Sequence, residues 1–289
     1  MAVYKGKEIE EKYKGELKIY GVSTGTLLDK LFFDIENEKS TFRKPLNGIP
    51  SLSVMNIVGI PDTGKSVLAQ QFALTQINQG KSVLFVTTES PARHTYSSII
   101  KKAKVLGVDK DKVKENLYIV DVSTDWKLRE DLNELINTMK YVYDESKSNN
   151  SMVRITIIDS VTGLFEDKEF KARNTVRALY NLMKKYYQTA MFISQKRSIQ
   201  ELDSAESAGG LAISHIVDGT IVMSKKVINS RQDESLYKVE IGNVLRTIRI
   251  DGCRLCPHDS RTWVFEITDT GLIDIKMPLS EWIKRSETF

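Results

Sequence analysis

Five short apolar runs, rich in valine and isoleucine, punctuate the chain at 54–58, 83–87, 117–122, 153–158 and 190–193. Most of their positions are apolar, so the strands they predict are buried ones. Between them, apolar positions recur at helical spacing over 66–79, 92–106, 128–143 and 170–187. In the last of these, Val176, Leu179, Tyr180, Met183 and Tyr187 make one stripe. Strands alternating with helices of this length form crossover units. The fold class is therefore α/β: a mostly parallel, twisted sheet with helices on both faces.

The pattern changes after residue 216. Apolar and polar residues alternate over 220–223, 237–241, 245–250, 262–267 and 272–275, with turn residues between them. This predicts antiparallel C-terminal hairpins at one edge of the sheet. At the other end, residues 1–20 are charged and predict an arm closing in a short strand at 17–20. Residues 24–33 have helical spacing, and polar 34–44 leads to Pro45 and Gly48, which mark a loop. No internal repeat is visible, so 21–289 is expected to be one domain.

Composition narrows the function classes. Of 289 residues, 41% are hydrophobic, enough for one large core. The net charge of +4, from 42 basic and 38 acidic residues, is too small to identify a nucleic-acid binder. No apolar run reaches the roughly 18 residues of a membrane span. The charged N-terminus has no signal-peptide core, so a cytoplasmic location without membrane contact is expected.

The candidate chemistry centres on Gly59-Ile60-Pro61-Asp62-Thr63-Gly64-Lys65-Ser66, which matches G-x-x-x-x-G-K-[ST] in full. It follows a predicted strand and opens a predicted helix at Val67, as a P-loop requires. Glycines let the backbone wrap phosphate oxygens, and N–H groups at the helix start point at them. ATP with Mg²⁺ is the expected ligand: Lys65 reaches the β- and γ-phosphates and Ser66 ligates the metal. Asp159, at the tip of the strand 153–158, is placed to hold the same Mg²⁺ or to cap a helix. Glu89, at the tip of the next strand after the P-loop, is placed to activate the attacking water; the plainer reading is a surface glutamate. Gln195, after 190–193, is a candidate γ-phosphate sensor leading into a polar loop, 196–210, with Lys196 and Arg197.

Taken in order, these motifs resemble the RecA/RadA superfamily, and within it the KaiC-like ATPases, over about residues 21–276. Besides the P-loop, the resemblance rests on Phe85-Val86-Thr87-Thr88-Glu89-Ser90-Pro91, Ile157-Ile158-Asp159-Ser160, Ile193-Ser194-Gln195, the stretch 207–219, and the close at 265–271. It implies a RecA-like P-loop core and a homo-oligomer, a hexameric ring or a filament, with ATP between subunits. It also implies that Glu89 is catalytic and that the loop 196–210 lines the ring or touches single-stranded DNA. The chain departs from the pattern in carrying one such domain where the clock proteins carry two, in the additions at 34–44 and 254–261, and at two candidate site positions. Ser90 stands where KaiC-like proteins carry a second glutamate, which argues against autophosphorylation. The family's Lys-x-Arg trans-acting pair falls on Arg249 and Asp251, leaving Arg246 or Arg254 to supply a second charge. Arg249 lies opposite Ile248 and Ile250 in strand alternation, and either reaches a neighbour's γ-phosphate or pairs with an acid such as Glu240. An ATP-dependent scaffold with little turnover is the alternative function.

Other residues have plainer readings. Cys253 and Cys256, with His258, allow reduced thiols, a disulfide or a partial zinc site; His94 and His215 are the remaining histidines. Trp126, Trp263 and Trp282 are expected in the core rather than stacked on bases. Arg173, Arg177, Lys184 and Lys185 are expected to line a solvated helix face.

Overall fold

A computed structural model describes residues 3–14, 17–34, 43–149, 151–165, 171–195 and 213–285. A helix, α1 (Gly6–Lys12), precedes two small strand pairs: β1 (Gly21–Val22) with β4 (Ile49–Pro50), and β2 (Phe33–Asp34) with β3 (Lys44–Pro45). The alternating core follows as β5 (Val54–Gly59), α2 (Lys65–Asn78), β6 (Ser82–Thr87), α3 (Ala92–Leu106), α4 (Lys110–Asn116) and β7 (Leu117–Asp121). It continues with α5 (Trp126–Glu130), α6 (Leu132–Ser148), β8 (Val153–Asp159), α7 (Ala172–Lys185) and β9 (Thr189–Gln195). The last part is β10 (Gly219–Val227), α8 (Arg231–Tyr237), β11 (Val244–Cys253), β12 (Trp263–Ile267), β13 (Ile273–Pro278) and α9 (Leu279–Trp282).

Nine strands form one sheet in the order β13-β12-β11-β10-β5-β9-β8-β6-β7. The strands from β10 to β7 run parallel, and β11, β12 and β13 are antiparallel. Every residue of β5 and β6 is buried, as their uninterrupted apolar runs require. Met55, Ile57 and Phe85 face a layer with Leu68 and Phe72 of α2 and Ile99 of α3. Their neighbours Val54, Leu84 and Val86 face Leu135 and Met139 of α6 and Val176, Leu179 and Met183 of α7. Strand alternation thus feeds two cores from one sheet. Among the described residues, no helix is long and apolar enough to cross a membrane.

Several expectations are corrected. Residues 237–241 are not a strand. Ser230 caps α8 by accepting from the Asp233 N–H at 3.1 Å, Asp233 and Glu234 occupy its first turn, and Lys238 ends it in the left-handed region. Local capping here outweighs a short alternation. Residues 17–20 form no strand, and Leu17 and Tyr20 stay exposed. The segment 24–33 makes only a 3₁₀ turn, Leu27–Lys30, capped by Thr26. Helix 128–143 divides at Asp131, whose carboxylate accepts from the Asn133 and Glu134 N–H groups and starts α6 afresh. Trp126 is 77% exposed, whereas Trp263 packs on the core and Trp282 donates to the Tyr237 carbonyl at 2.7 Å. Lys184 is not simply solvated: it donates to Asp218 and to the Leu52 carbonyl, each at 2.6 Å. Cys253 and Cys256 are thiols 3.8 Å apart, and no group of three or more His, Cys, Asp or Glu fit for a metal occurs among the described residues.

Helix α7 ends at Tyr187, beyond its last helical turn, with φ 52°. The Tyr187 N–H donates to Lys184 and the Gln188 N–H to Met183, a closure that normally uses glycine. Tyr187→Gly should therefore be more stable than Tyr187→Ala by about 1 kcal/mol, since both lose the ring but only glycine relieves the backbone. Thermal melts measure this, and an alanine variant at least as stable would contradict it.

Candidate functional site

Central strand β5 ends at Gly59, and β10 runs beside it with Val222 opposite Val58. A Cβ on Gly59 would stand 2.3 Å from the Met223 carbonyl oxygen, so only glycine lets β10 pass this close. The chain then turns back on itself. Thr63 Oγ1 donates to the Ile60 carbonyl at 3.1 Å, and Lys65 Nζ donates to the same oxygen at 2.7 Å. Gly64, with φ 98°, turns the loop into α2, and a Cβ there would press on Ile267 and Ile273 at 3.1 Å. The turn leaves the first N–H groups of α2 without helical partners at the loop's mouth.

Register brings three more strand tips to the same level. Gly59 pairs with Gln195, Asp159 with Ile193, and Thr87 with Asp159. Because β5, β9, β8 and β6 are laterally consecutive and parallel, Gln195, Asp159 and Glu89 all emerge beside the loop. Together they enclose a cavity of about 260 Å³ lined by Pro61, Asp62, Gly64, Lys65, Ser66, Val67, Glu89, Asp159, Gln195, Ile193 and Ile267.

The charges in this cavity are costly by themselves. Burial lowers the Lys65 ammonium to about 8 against the attraction of Asp159 and Glu89. Burial raises the Asp159 carboxyl to about 6, opposed by a hydrogen bond from Ser66 and aided by repulsion from Glu89. A polyphosphate would offset the first charge and a divalent cation the second. The Ser66 hydroxyl and the Asp159 carboxylate, both in the cavity's lining, are a hard oxygen pair of the kind Mg²⁺ takes. The residues present thus fit both ATP and Mg²⁺.

Glu89 is exposed but held. Its Oε1 accepts from Ser160 Oγ at 2.6 Å and from Gln195 Nε2 at 2.7 Å. Ser160 is fixed in turn: its N–H donates to Thr88 Oγ1, which donates back to its carbonyl, each at 2.9 Å. Gln195, expected as a phosphate sensor, is therefore also a tether for Glu89. Ser160, Thr88 and Ile267 lie in the motifs that the sequence shows, but the sequence assigned them no role in the site. The Lys225 ammonium pairs with Asp62 at 2.9 Å and, with burial opposing it, holds that carboxyl below its ordinary range. Nothing in the sequence joined these two positions, which lie far apart along the chain.

Arg249 is not brought to the cavity of its own chain. It lies on β11 opposite Val222, away from buried Ile248 and Ile250 as alternation requires. Its Nη2 donates to Asp251 at 2.7 Å rather than to Glu240. The loop 196–210 lies outside the described residues.

The chain is similar to known proteins along most of its length. The family described as "ATPase: KaiC" matches residues 22–280. The UPF0273 protein of Thermotoga maritima is 28% identical over 240 residues, 78% of this chain and 88% of its own. That of Pyrococcus horikoshii is 24% identical over 243 residues, covering 78% and 87%. That of Sulfurisphaera tokodaii is 31% identical over 237 residues, covering 78% and 76%.

Proposed function

Since this chain belongs to the KaiC family of ATPases, and so is an ATP-binding protein of RecA-like fold, we propose that it hydrolyses ATP and assembles through its nucleotide site. The observation that carries the reading is the state of Glu89. Its Oε1 is held by two donors, while no donor to Oε2 occurs among the described residues. A carboxylate held at one oxygen and open at the other can orient a water and take its proton as the water oxygen attacks phosphorus. Lys65 and the α2 N–H groups bind and orient the phosphates. Ser66 and Asp159 hold Mg²⁺, which when bound neutralises charge on the β- and γ-phosphate oxygens. Gln195 and Ser160 keep Glu89 in place.

Assembly is the second half of the proposal. The cavity of one chain holds no arginine among its described lining residues, so a charge stabilising the transferring phosphoryl group would come from a neighbour. Arg249, half-buried on the outer face of β11, is the residue we assign to that task, in a hexameric ring or a filament. Its bond to Asp251 favours a second reading, a nucleotide-dependent scaffold with little turnover.

One experiment decides between them. ATP turnover is measured with Mg²⁺, with and without single-stranded DNA, beside the oligomeric mass. Arg249→Ala is then mixed with a Lys65→Ala protein. Mixed assemblies contain interfaces joining an intact P-loop to an intact Arg249, so activity should partly recover. A mixture as inactive as its components, with subunit exchange verified, would remove Arg249 from the mechanism. A wild-type protein that binds ATP without turnover would establish the scaffold reading.

A further inference from the structure

A cavity larger than the one at the P-loop lies elsewhere in the protein. It measures about 770 Å³ and opens at the opposite, amino-terminal edge of the parallel strands, beside Val153–Ile155 of β8 and Thr189 of β9. Among the described residues, five basic side chains line it, Lys18, Lys81, Lys147, Arg154 and Lys185, against one acid, Asp144.

Among the described residues no acidic partner is recorded for any of the five, and the bond of Lys81 is to neutral Gln76 at 2.9 Å. Lys81 is half-buried, and burial lowers its pKa. Lys147 and Lys185 stand in the last turns of α6 and α7, where a cation complements the helix dipole. That explanation does not reach Lys18, Lys81 or Arg154, which come from the arm, the loop after α2 and β8. Five like charges converging from five segments repel one another unless an anion joins them.

Aromatic rings share the same lining. Tyr20 is 56% exposed and Tyr187 40% exposed, and Tyr186 packs on Tyr143 with centroids 4.8 Å apart. Exposed tyrosine rings beside cations suit a planar ring joined to phosphates, since a base stacks on any aromatic face. The volume lies within the range of small-molecule sites, roughly 300–1,000 Å³.

We propose that this cavity is a second ligand site, separate from the P-loop, taking a ligand with two or more phosphates and a planar base. Two sources share that chemistry: a free dinucleotide and the end of a nucleic-acid strand. Binding of the linear dinucleotide pApA and of a labelled dT strand of about 12 nucleotides is measured on the full chain, with tripolyphosphate as the ring-free control. Wild type and Lys65→Ala are compared, so that P-loop binding is seen separately.

The expected result is saturable binding that persists in Lys65→Ala. It should weaken by about tenfold or more, with a shallower salt dependence, in Lys147→Glu/Arg154→Glu. Tyr187→Gly should weaken both base-bearing probes and leave tripolyphosphate unchanged. Tighter binding of pApA assigns the site to a free dinucleotide, and tighter binding of the strand assigns it to a nucleic-acid end. Unchanged affinity in the double variant, with folding verified by circular dichroism, overturns the proposal. So does binding lost only with Lys65→Ala, and so does tripolyphosphate binding as tightly as either base-bearing probe.

Discussion

Replacing Lys65 with alanine is expected to weaken ATP binding by about 100-fold or more, a loss of about 3–5 kcal/mol, because it removes a desolvated cation that faces two phosphates. Titration with a fluorescent nucleotide measures it. The same substitution should not destabilise the protein without nucleotide. The folded-state pKa of Lys65 lies near 8, below its ordinary 10.5, so charging it opposes folding. That cost, on the order of 3 kcal/mol, is fully present below about pH 8 and fades between about 8 and 10.5. Lys65→Ala should therefore melt no lower than wild type at pH 7, with its advantage shrinking by pH 10. Weak binding with an intact melt identifies the site. Unchanged affinity would mean that the nucleotide binds elsewhere.

Glu89→Gln should leave ATP affinity within a few-fold of wild type and lower turnover by about 10²–10⁴, the usual contribution of a general base. The amide oxygen can still accept from Ser160 and Gln195, so the loop keeps its shape while the proton acceptor is lost. Steady-state phosphate release beside a binding titration separates the two effects. A wild-type rate in the variant would show that some other group activates the water.

Local patterns made much of this protein legible. The five apolar runs became β5, β6, β7, β8 and β9; β5 and β6 are buried at every residue, while β7, at the sheet's edge, is mostly half-buried and Arg154 of β8 is exposed. Gly59, Gly64, Lys65 and Ser66 announced the phosphate loop because few residue types tolerate those backbone positions and contacts. Asp159 and Glu89 could be named because each ends an apolar run, and carboxyl ends of parallel strands face a crevice. The readings that failed were those where weak local signals competed. The alternation at 237–241 yielded to the Ser230 cap, and the long pattern at 128–143 to the cap at Asp131.

What the residues determined by themselves, then, was the type of each core element and the identity of the phosphate loop, since both depend on neighbours within about ten positions. Tertiary structure alone decided which strand tips meet. Only the lateral order β6-β8-β9-β5 sets Gln195 and Ser160 on the Glu89 carboxylate, partners 106 and 71 positions apart along the chain. The same lateral pairing, of β10 with β5, sets Lys225 against Asp62, 163 positions away along the chain. Packing likewise gathered Lys18, Lys81 and Arg154 around one cavity and left Trp126 in solvent. Contacts of that range come from how strands line up across the sheet, a choice made by burial summed over the whole core and carried by no single stretch of the chain.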